Sequence, residues 1–430
     1  MTSPAISRLT SAAIHPIAAG AIGHLPTLLV FSHLRWSFVY QRPQHLLSRL
    51  AGRWRVIFIE EPLSTAGPVR MVRHRHGPQL EVWVPHTPSH APGFHDDQLA
   101  ILEPLIADEL ATERGGVDAV LLYTPMALPL LKAVSHSAPV FYDCMDDLSA
   151  FKDAPRQLRQ RETALLKRAT AVLTGGPSLY EAKRGLHEQV HCLPSAVDAA
   201  HFDPRRLQCD SAPALAASAL QAHLPGPLLG YFGVIDERLD VGLVDAIAQR
   251  HPDWQIMMAG PVVKIDAATL PQRANLHWLG MQPYGRLPYL MAGWDVALMP
   301  FALNGSTRFI SPTKTLEYMA GEKPVVSTAV HDVISLYGHV VEIARDTDAF
   351  IAACEKLLSE DKAARSRRNL AMMVTVSTTS WDRAANFVDM VLQAALNDQD
   401  SATNPREVAL SGVARMPAAI AAARAAMAGA

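Results

Sequence analysis

Short, nearly continuous apolar runs recur along the chain, and segments of helical length separate them. In the first half the runs are 28–32, 56–60, 80–84, 119–123, 140–143, 171–175 and 191–193. In the second half they are 228–233, 255–260, 276–280, 296–300, 324–328 and 340–344. Apolar runs without polar alternation suit strands covered on both faces. Strands that alternate with helical segments predict βαβ units and parallel sheets. The segment 202–227, FDPRRLQCDSAPALAASALQAHLPGP, carries Pro, Ala, Ser and charge but no apolar run, and reads as an interdomain linker. Residues 381–397, WDRAANFVDMVLQAALN, show the spacing of an amphipathic helix.

The pattern predicts an α/β protein of two doubly wound, Rossmann-like domains facing a cleft, a standard place for a small-molecule site. The boundaries follow: an N-terminal tail over 1–24, a first domain over 25–202, a linker over 203–227, a second domain over 228–380, a crossing helix over 381–398 and a tail over 399–430.

The stretch FISPTKTLEYMAGEKPVVST, residues 309–328, holds the densest candidate chemistry. Ser311 is placed as a helix N-cap and Pro312 at the first helical position, with Gly321 ending the helix. A helix start with free N–H groups, hydroxyls and a lysine is a site for an anion, phosphate above all. The candidates are Ser311, Thr313 and Lys314. Glu317, one turn on, offers a carboxylate to a sugar diol. The same Lys–Glu spacing also fits an ordinary exposed helical pair. The position after a strand end favours the binding reading, because open α/β sheets bind ligands beyond the carboxyl ends of their strands.

Other strand ends carry further candidates. After the first strand come Arg35, Arg42 and His45, placed to meet phosphate or acceptor hydroxyls, with the helix starting near Pro43. No GxGxxG follows this strand, which argues against a dinucleotide cofactor. The fifth run ends in Asp143, Asp146 and Asp147. Clustered carboxylates repel one another and raise a pKa, which prepares a general base, and Asp146 and Asp147 are the candidates. One of them can instead cap the next helix. In the second domain Gly233 permits close backbone approach, and Arg238 either neutralises a diphosphate or pairs with Asp236 or Asp240. The segment 280–288 reads as a platform for a nucleobase. The segment 85–97, PHTPSHAPGFHDD, fits no metal pattern and reads as a Pro-rich loop beside the cleft.

Bulk properties narrow the class. A chain of 430 residues exceeds one ordinary core, and its net charge of −2 gives no general attraction to nucleic acid or anionic lipid. Cys144, Cys192, Cys209 and Cys354 are widely spaced and read as reduced thiols in a cytosolic protein. Met1–Gly23 lacks the charged start and apolar core of a secretory signal. No run reaches the roughly 18 apolar residues of a membrane span. The alanine-rich segment 412–430 reads as a tail or weak surface helix.

Taken in order, these segments resemble a GT-B-fold bacterial glycosyltransferase of the family-4-like and GumK-like groups. SPTKTLEYMAGEKPVVST resembles the donor-site helix of that family, and WSFVYQRPQHLLSRLA the first loop and helix of one subgroup. LPSAVDAAHFDP and LGMQPYGRLPYLMAGWDVALMPF resemble two further family segments, so the resemblance spans about 25–397. It implies that Lys314 meets the donor diphosphate and Glu317 its ribose, with Gly233 and Arg238 flanking the phosphates. It implies Asp146 or Asp147 as base, no metal or other cofactor, and a nucleotide-sugar, a UDP-sugar first, as donor. The implied acceptor is a lipid-linked saccharide at the inner membrane face, met by a cytoplasmic protein with peripheral membrane contact and no nucleic acid partner. Trp36, Phe38 and Tyr40 are candidates for that contact, with core packing as the alternative. Many retaining relatives carry a glutamate where this chain has Phe309, which leans the expectation toward inversion; in a second departure Ser195-Ala196 replaces an Asn-Gly pair. A nucleotide-sugar 2-epimerase, a phosphorylase of the same fold and a non-enzymatic sugar-binding protein are the alternatives.

Overall fold

The computed structural model describes residues 25–403. The readings for 1–24 and for the alanine-rich end lie outside the described residues.

The first sheet is built from β1 (Thr27–Ser32), β2 (Arg55–Glu60), β3 (Leu63–Ser64), β4 (Arg70–Gly77), β5 (Leu80–Thr87), β6 (Ala119–Leu122), β7 (Val140–Cys144), β8 (Ala171–Thr174) and β9 (Val190–Cys192). Their order is β3-β5-β2-β1-β6-β7-β8-β9, with β4 antiparallel on β5 and the other pairings parallel. The second sheet holds β10 (Leu228–Phe232), β11 (Gln255–Ala259), β12 (Leu276–Gly280), β13 (Val296–Met299), β14 (Val325–Thr328) and β15 (Glu342–Ala344). Its order is β12-β11-β10-β13-β14-β15, all parallel, which is the doubly wound 3-2-1-4-5-6 arrangement. Each expected strand is present with slightly shifted ends. The strand order reverses between β1 and β6 and between β10 and β13, and the crevices beyond those points face each other.

Two strands went unread in the sequence. The β4 segment RMVRHRHG is polar and largely exposed, so it has no apolar signal. Pairing with β5 from Arg70↔His86 to Gly77↔Leu80 makes it a strand. The interdomain linker is also shorter than expected. Residues Ala212–Gln221 form a helix capped by the Ser211 side chain. Ala217 of this helix joins the second domain's core, and Gln221 Nε2 donates to Leu290 O at 2.9 Å.

The last helix, Trp381–Thr403, crosses back to the first domain and runs past the expected end at 398. Trp381, Ala385, Val388 and Leu392 pack into one face of the first sheet with Leu46, Leu50, Trp54 and Val56. Each large apolar side chain buried there contributes about 1.5–3 kcal/mol. Polar contacts fix the register: Trp54 Nε1 donates to Asp389 Oδ1 at 2.7 Å, and Arg49 meets Asp382 at 2.8 Å.

Candidate active site

Between the two sheets lies a cleft of about 460 Å³, a volume suited to a small-molecule ligand. Loops from the carboxyl ends of β1, β7, β10, β11, β12 and β13 line it. The second-domain wall contains Gly233, Arg238, Ser311, Thr313, Lys314 and Glu317, so all six donor-side residues singled out in the sequence come together.

Lys314 sits against Gly233. That glycine has φ 144°, and a Cβ on it would lie 1.9 Å from Lys314 Cε. The glycine therefore serves the approach of a lysine stem, where close approach to a ligand was expected. Lys314 Nζ lies 5.7 Å from the centre of the Tyr231 ring. Burial and the neighbouring Arg238 charge push the Lys314 pKa down, while Glu317 opposes them. Glu317 is 7% exposed, which rules out the ordinary exposed helical pair. Burial raises its carboxyl to about 7, and the Lys314 charge works against that rise. Arg238 holds Asp236 with Nη2–Oδ2 at 2.7 Å and Nε–Oδ1 at 3.0 Å, and its guanidinium lies 5.4 Å from the Phe151 ring centre. Arg238 thus pairs with Asp236 and still lines the cleft. Asp240 caps the Val241–Arg250 helix instead.

The donor helix starts later than its sequence suggests. It spans Lys314–Ala320, with Thr313 as an N-cap that is itself helical and makes no side-chain cap bond. The amides of Leu316 and Glu317 close on Thr313 O. Ser311 is therefore not the cap; it lies in the segment before the helix and lines the cleft. Residues Met281–Tyr284 and Leu287 line the same wall.

On the opposite wall the three aspartates separate into three jobs. Asp143 is fully buried and pairs with Arg42 at 2.9 Å. Asp147 caps a short 3-10 turn, accepting from Ser149 N at 3.2 Å and Ser149 Oγ at 2.7 Å. It does not line the cleft, which corrects its placement as a base. Asp146 does line the cleft. Enclosure by the walls raises its carboxyl to about 6, while the Arg238, Arg42 and Lys314 charges pull it down. Desolvation is the main cause and Asp236 adds to it, so the mutual repulsion expected within the Asp143–Asp147 cluster is not the chief origin.

Three first-loop residues are also corrected. Arg35 is tied to Glu60 at 3.1 Å and to the carbonyls of Glu61 and Pro62. Arg42 reaches the cleft floor, but its Nε is engaged by Asp143 and its Nη1 donates to Leu193 O at 2.7 Å. His45 is buried, stacked on Trp381 with ring centres 4.7 Å apart, and burial lowers its pKa to about 3. Arg35 and His45 do not line the cleft, and Arg42, which does, keeps only its buried Nη2 without a partner.

Trp36, Phe38 and Tyr40 line the cleft mouth; Trp36 also packs on the first domain's core, edge-on to Phe58 at 5.1 Å, while Phe38 and Tyr40 are exposed. Tyr40 stacks across the cleft on Tyr284 with centres 4.7 Å apart, and His201 stacks on Tyr284 at 4.1 Å. Tyr284 and Ser195 stood within quoted segments without being singled out as site residues. His76, from the unread β4, also lines the cleft. The segment 85–97 does not line it. Its histidines are dispersed: His86 lies in β5, His90 Nδ1 meets Ser64 Oγ at 2.9 Å and His95 caps the Asp96–Ala111 helix. Among the described residues no group of three or more His, Cys, Asp or Glu could hold a metal ion.

Two facing doubly wound domains, with a lysine–glutamate donor segment on one rim and a half-enclosed aspartate on the other, define the architecture of a GT-B glycosyltransferase. Comparison with known proteins agrees. Residues 227–360 match the family "Glycosyl transferases group 1". The chain is similar to TuaH, a teichuronic acid biosynthesis glycosyltransferase of Bacillus subtilis, with 26% identity over 292 residues covering 63% of this chain and 72% of TuaH. In fold it is similar to sucrose-phosphate synthase from Thermosynechococcus elongatus, with a TM-score of 0.67, 15% identity and coverage of 87% of this chain and 100% of that one. It is likewise similar to Anabaena HepE, solved with UDP and glucose, with a TM-score of 0.63, 14% identity and coverage of 86% and 100%. The chain is a bacterial glycosyltransferase of GT-B fold.

Proposed function

We propose that this glycosyltransferase moves a sugar from a nucleotide-sugar, a UDP-sugar first, to a saccharide acceptor in cell-surface polysaccharide synthesis. The observation that carries the reading is the convergence of Gly233, Arg238, Ser311, Thr313, Lys314 and Glu317 on one wall, opposite Asp146. The likeness to TuaH supports the polysaccharide class, and HepE's complex with UDP and glucose supports the donor class. The acceptor is proposed to be lipid-linked and met at the inner membrane face by a cytoplasmic protein. Among the described residues no helix is long and apolar enough to cross a membrane.

In the proposed reaction the acceptor hydroxyl gives its proton to Asp146 as its oxygen bonds to the anomeric carbon. The bond from that carbon to the diphosphate oxygen breaks, and the diphosphate leaves with the electron pair. Lys314 and Arg238 stabilise the negative charge that develops there. Glu317 holds the ribose hydroxyls. Phe309 replaces the glutamate of many retaining relatives, which supports inversion.

The test is a thermal-shift panel of UDP, GDP, ADP and their sugars against wild type and Glu317→Ala. A single nucleotide series that raises the melting temperature, with the rise lost in the variant, is the expected result. No shift with any nucleotide at millimolar concentration overturns the donor assignment.

A further inference from the structure

The Pro177–Lys183 helix of the first domain begins at Gly176, which has no side chain to cap it. Its cap comes from the other domain. Asp332, in the His331–Tyr337 helix, accepts the Ser178 amide on Oδ1 at 3.0 Å, and its side chain is 0% exposed. His331 Nδ1 lies 3.3 Å from the same oxygen. Asp332 Oδ2 and Ser178 Oγ are both buried at this seam without hydrogen-bond partners, so the contact has polar capacity beyond the one bond formed.

The glycine makes this approach possible. A Cβ on Gly176 would lie 2.1 Å from Asp332 Oδ2 and 2.7 Å from Ser311 Cβ. A Cβ on the preceding Gly175 would lie 2.3 Å from Met145 O. Ser311 belongs to the donor wall of the cleft, and Met145 and Asp146 to the opposite wall. The glycine pair is therefore the spacer between the two walls. Neighbouring contacts follow the same seam: Phe309 packs against the first domain's core, Ser306 Oγ donates to Ala150 O at 3.0 Å, and Lys152 N donates to Glu237 Oε1 at 3.4 Å.

We propose that Asp332 and Gly176 are positioning residues: the second domain caps a first-domain helix in trans, and this latch sets the spacing between the donor segment and Asp146. Its part in transfer rests on the assignment of Asp146 as base; the capping contact itself does not. Side-chain caps matter at helix starts because the first amides have no partner within the helix.

The test uses the full chain as wild type, Asp332→Ala, Asp332→Asn and Gly176→Ala, read by amide hydrogen exchange and small-angle X-ray scattering. Asp332→Ala is expected to speed exchange across 178–183 by about fivefold to tenfold, the size of a lost cap. Exchange across 325–328 stays at the wild-type rate, and the radius of gyration rises. Asp332→Asn restores slow exchange, since its side-chain oxygen still accepts from Ser178. Gly176→Ala opens the molecule with Asp332 intact. With the donor chosen by the nucleotide panel, Asp332→Ala lowers kcat and leaves donor KM unchanged, because the donor residues all lie in the second domain. Unchanged exchange at 178–183 in Asp332→Ala overturns the latch. So does a rise spread equally over 178–183 and 325–328, which would mark a purely structural aspartate. If no nucleotide binds wild type, the donor assignment fails while the exchange result still decides the latch.

Discussion

Arg42 and Asp143 form an ion pair at 2.9 Å with side chains 2% and 0% exposed, which joins the first helix to the end of β7 just before Asp146. Removing one partner leaves a buried charge unpaired, a loss of about 3–5 kcal/mol. Asp143→Ala is therefore expected to move the chemical-denaturation midpoint strongly. Asp147→Ala removes only a turn cap and is expected to cost about 0.5–2 kcal/mol with turnover largely kept. Denaturation curves and turnover measured on the two variants side by side check this division of labour. Equal losses of activity in both would count against it.

Asp146 must be ionised to accept a proton. With its carboxyl near 6, turnover is expected to fall as the pH drops through 6. Asp146→Asn is expected to lower kcat by about 10²–10⁴-fold, the range for a lost general base. The same shift has a stability consequence of the opposite sense. The folded value lies above the ordinary 3.8, so the fold favours the protonated form, and that stabilisation fades as pH rises from 3.8 through 6. Asp146→Asn should therefore raise the melting temperature at pH 8 and leave it unchanged at pH 3.5. A thermal scan at both pH values is the check.

Gly233 and Lys314 share one space. Gly233→Ala is expected to displace the lysine, since the added carbon would lie 1.9 Å from Cε. Nucleotide affinity measured by calorimetry should fall in Gly233→Ala and in Lys314→Ala. The double variant should lose less than the sum of the two, because both changes disturb one contact. Strict additivity would mean that the glycine acts elsewhere.

Trp381 covers the His45 ring at 4.7 Å. Trp381→Ala should cost about 3–5 kcal/mol of first-domain stability, as for a large buried aromatic. It should also let water reach His45, whose pKa is held near 3 chiefly by burial. An NMR titration should then find the His45 pKa moved upward toward 6.5.

Much of this molecule is legible in the sequence because buried parallel strands must be apolar throughout. Runs such as 28–32 and 296–300 have no other ready reading. The donor segment is legible for a related reason: its lysine, glutamate and glycine fall within one short element whose place at a strand end is fixed by the alternation. The misreadings share the opposite property. Arg42 and His45 stand at the start of the helix that follows the cleft-lining first loop, yet Asp143 and Trp381 decide their fates, 101 residues away in the first case and across the whole second domain in the other. Which of Asp146 and Asp147 caps a turn depends on backbone angles that both sequence positions allow. The β4 strand takes its conformation from β5 and carries no apolar pattern of its own.

The return of the last helix to the first domain makes that domain discontinuous in the gene. Leu46, Trp54 and Val56 are covered by residues from 381 onward, so one face of the first sheet stays bare during synthesis until the last described helix has left the ribosome. A chain stopped at 380 would carry both sheets and still present a greasy, unclosed wall. Expression of the isolated first domain therefore needs 381–398 grafted onto its end, and late frameshifts, which leave the donor residues untouched, should be recovered as aggregates.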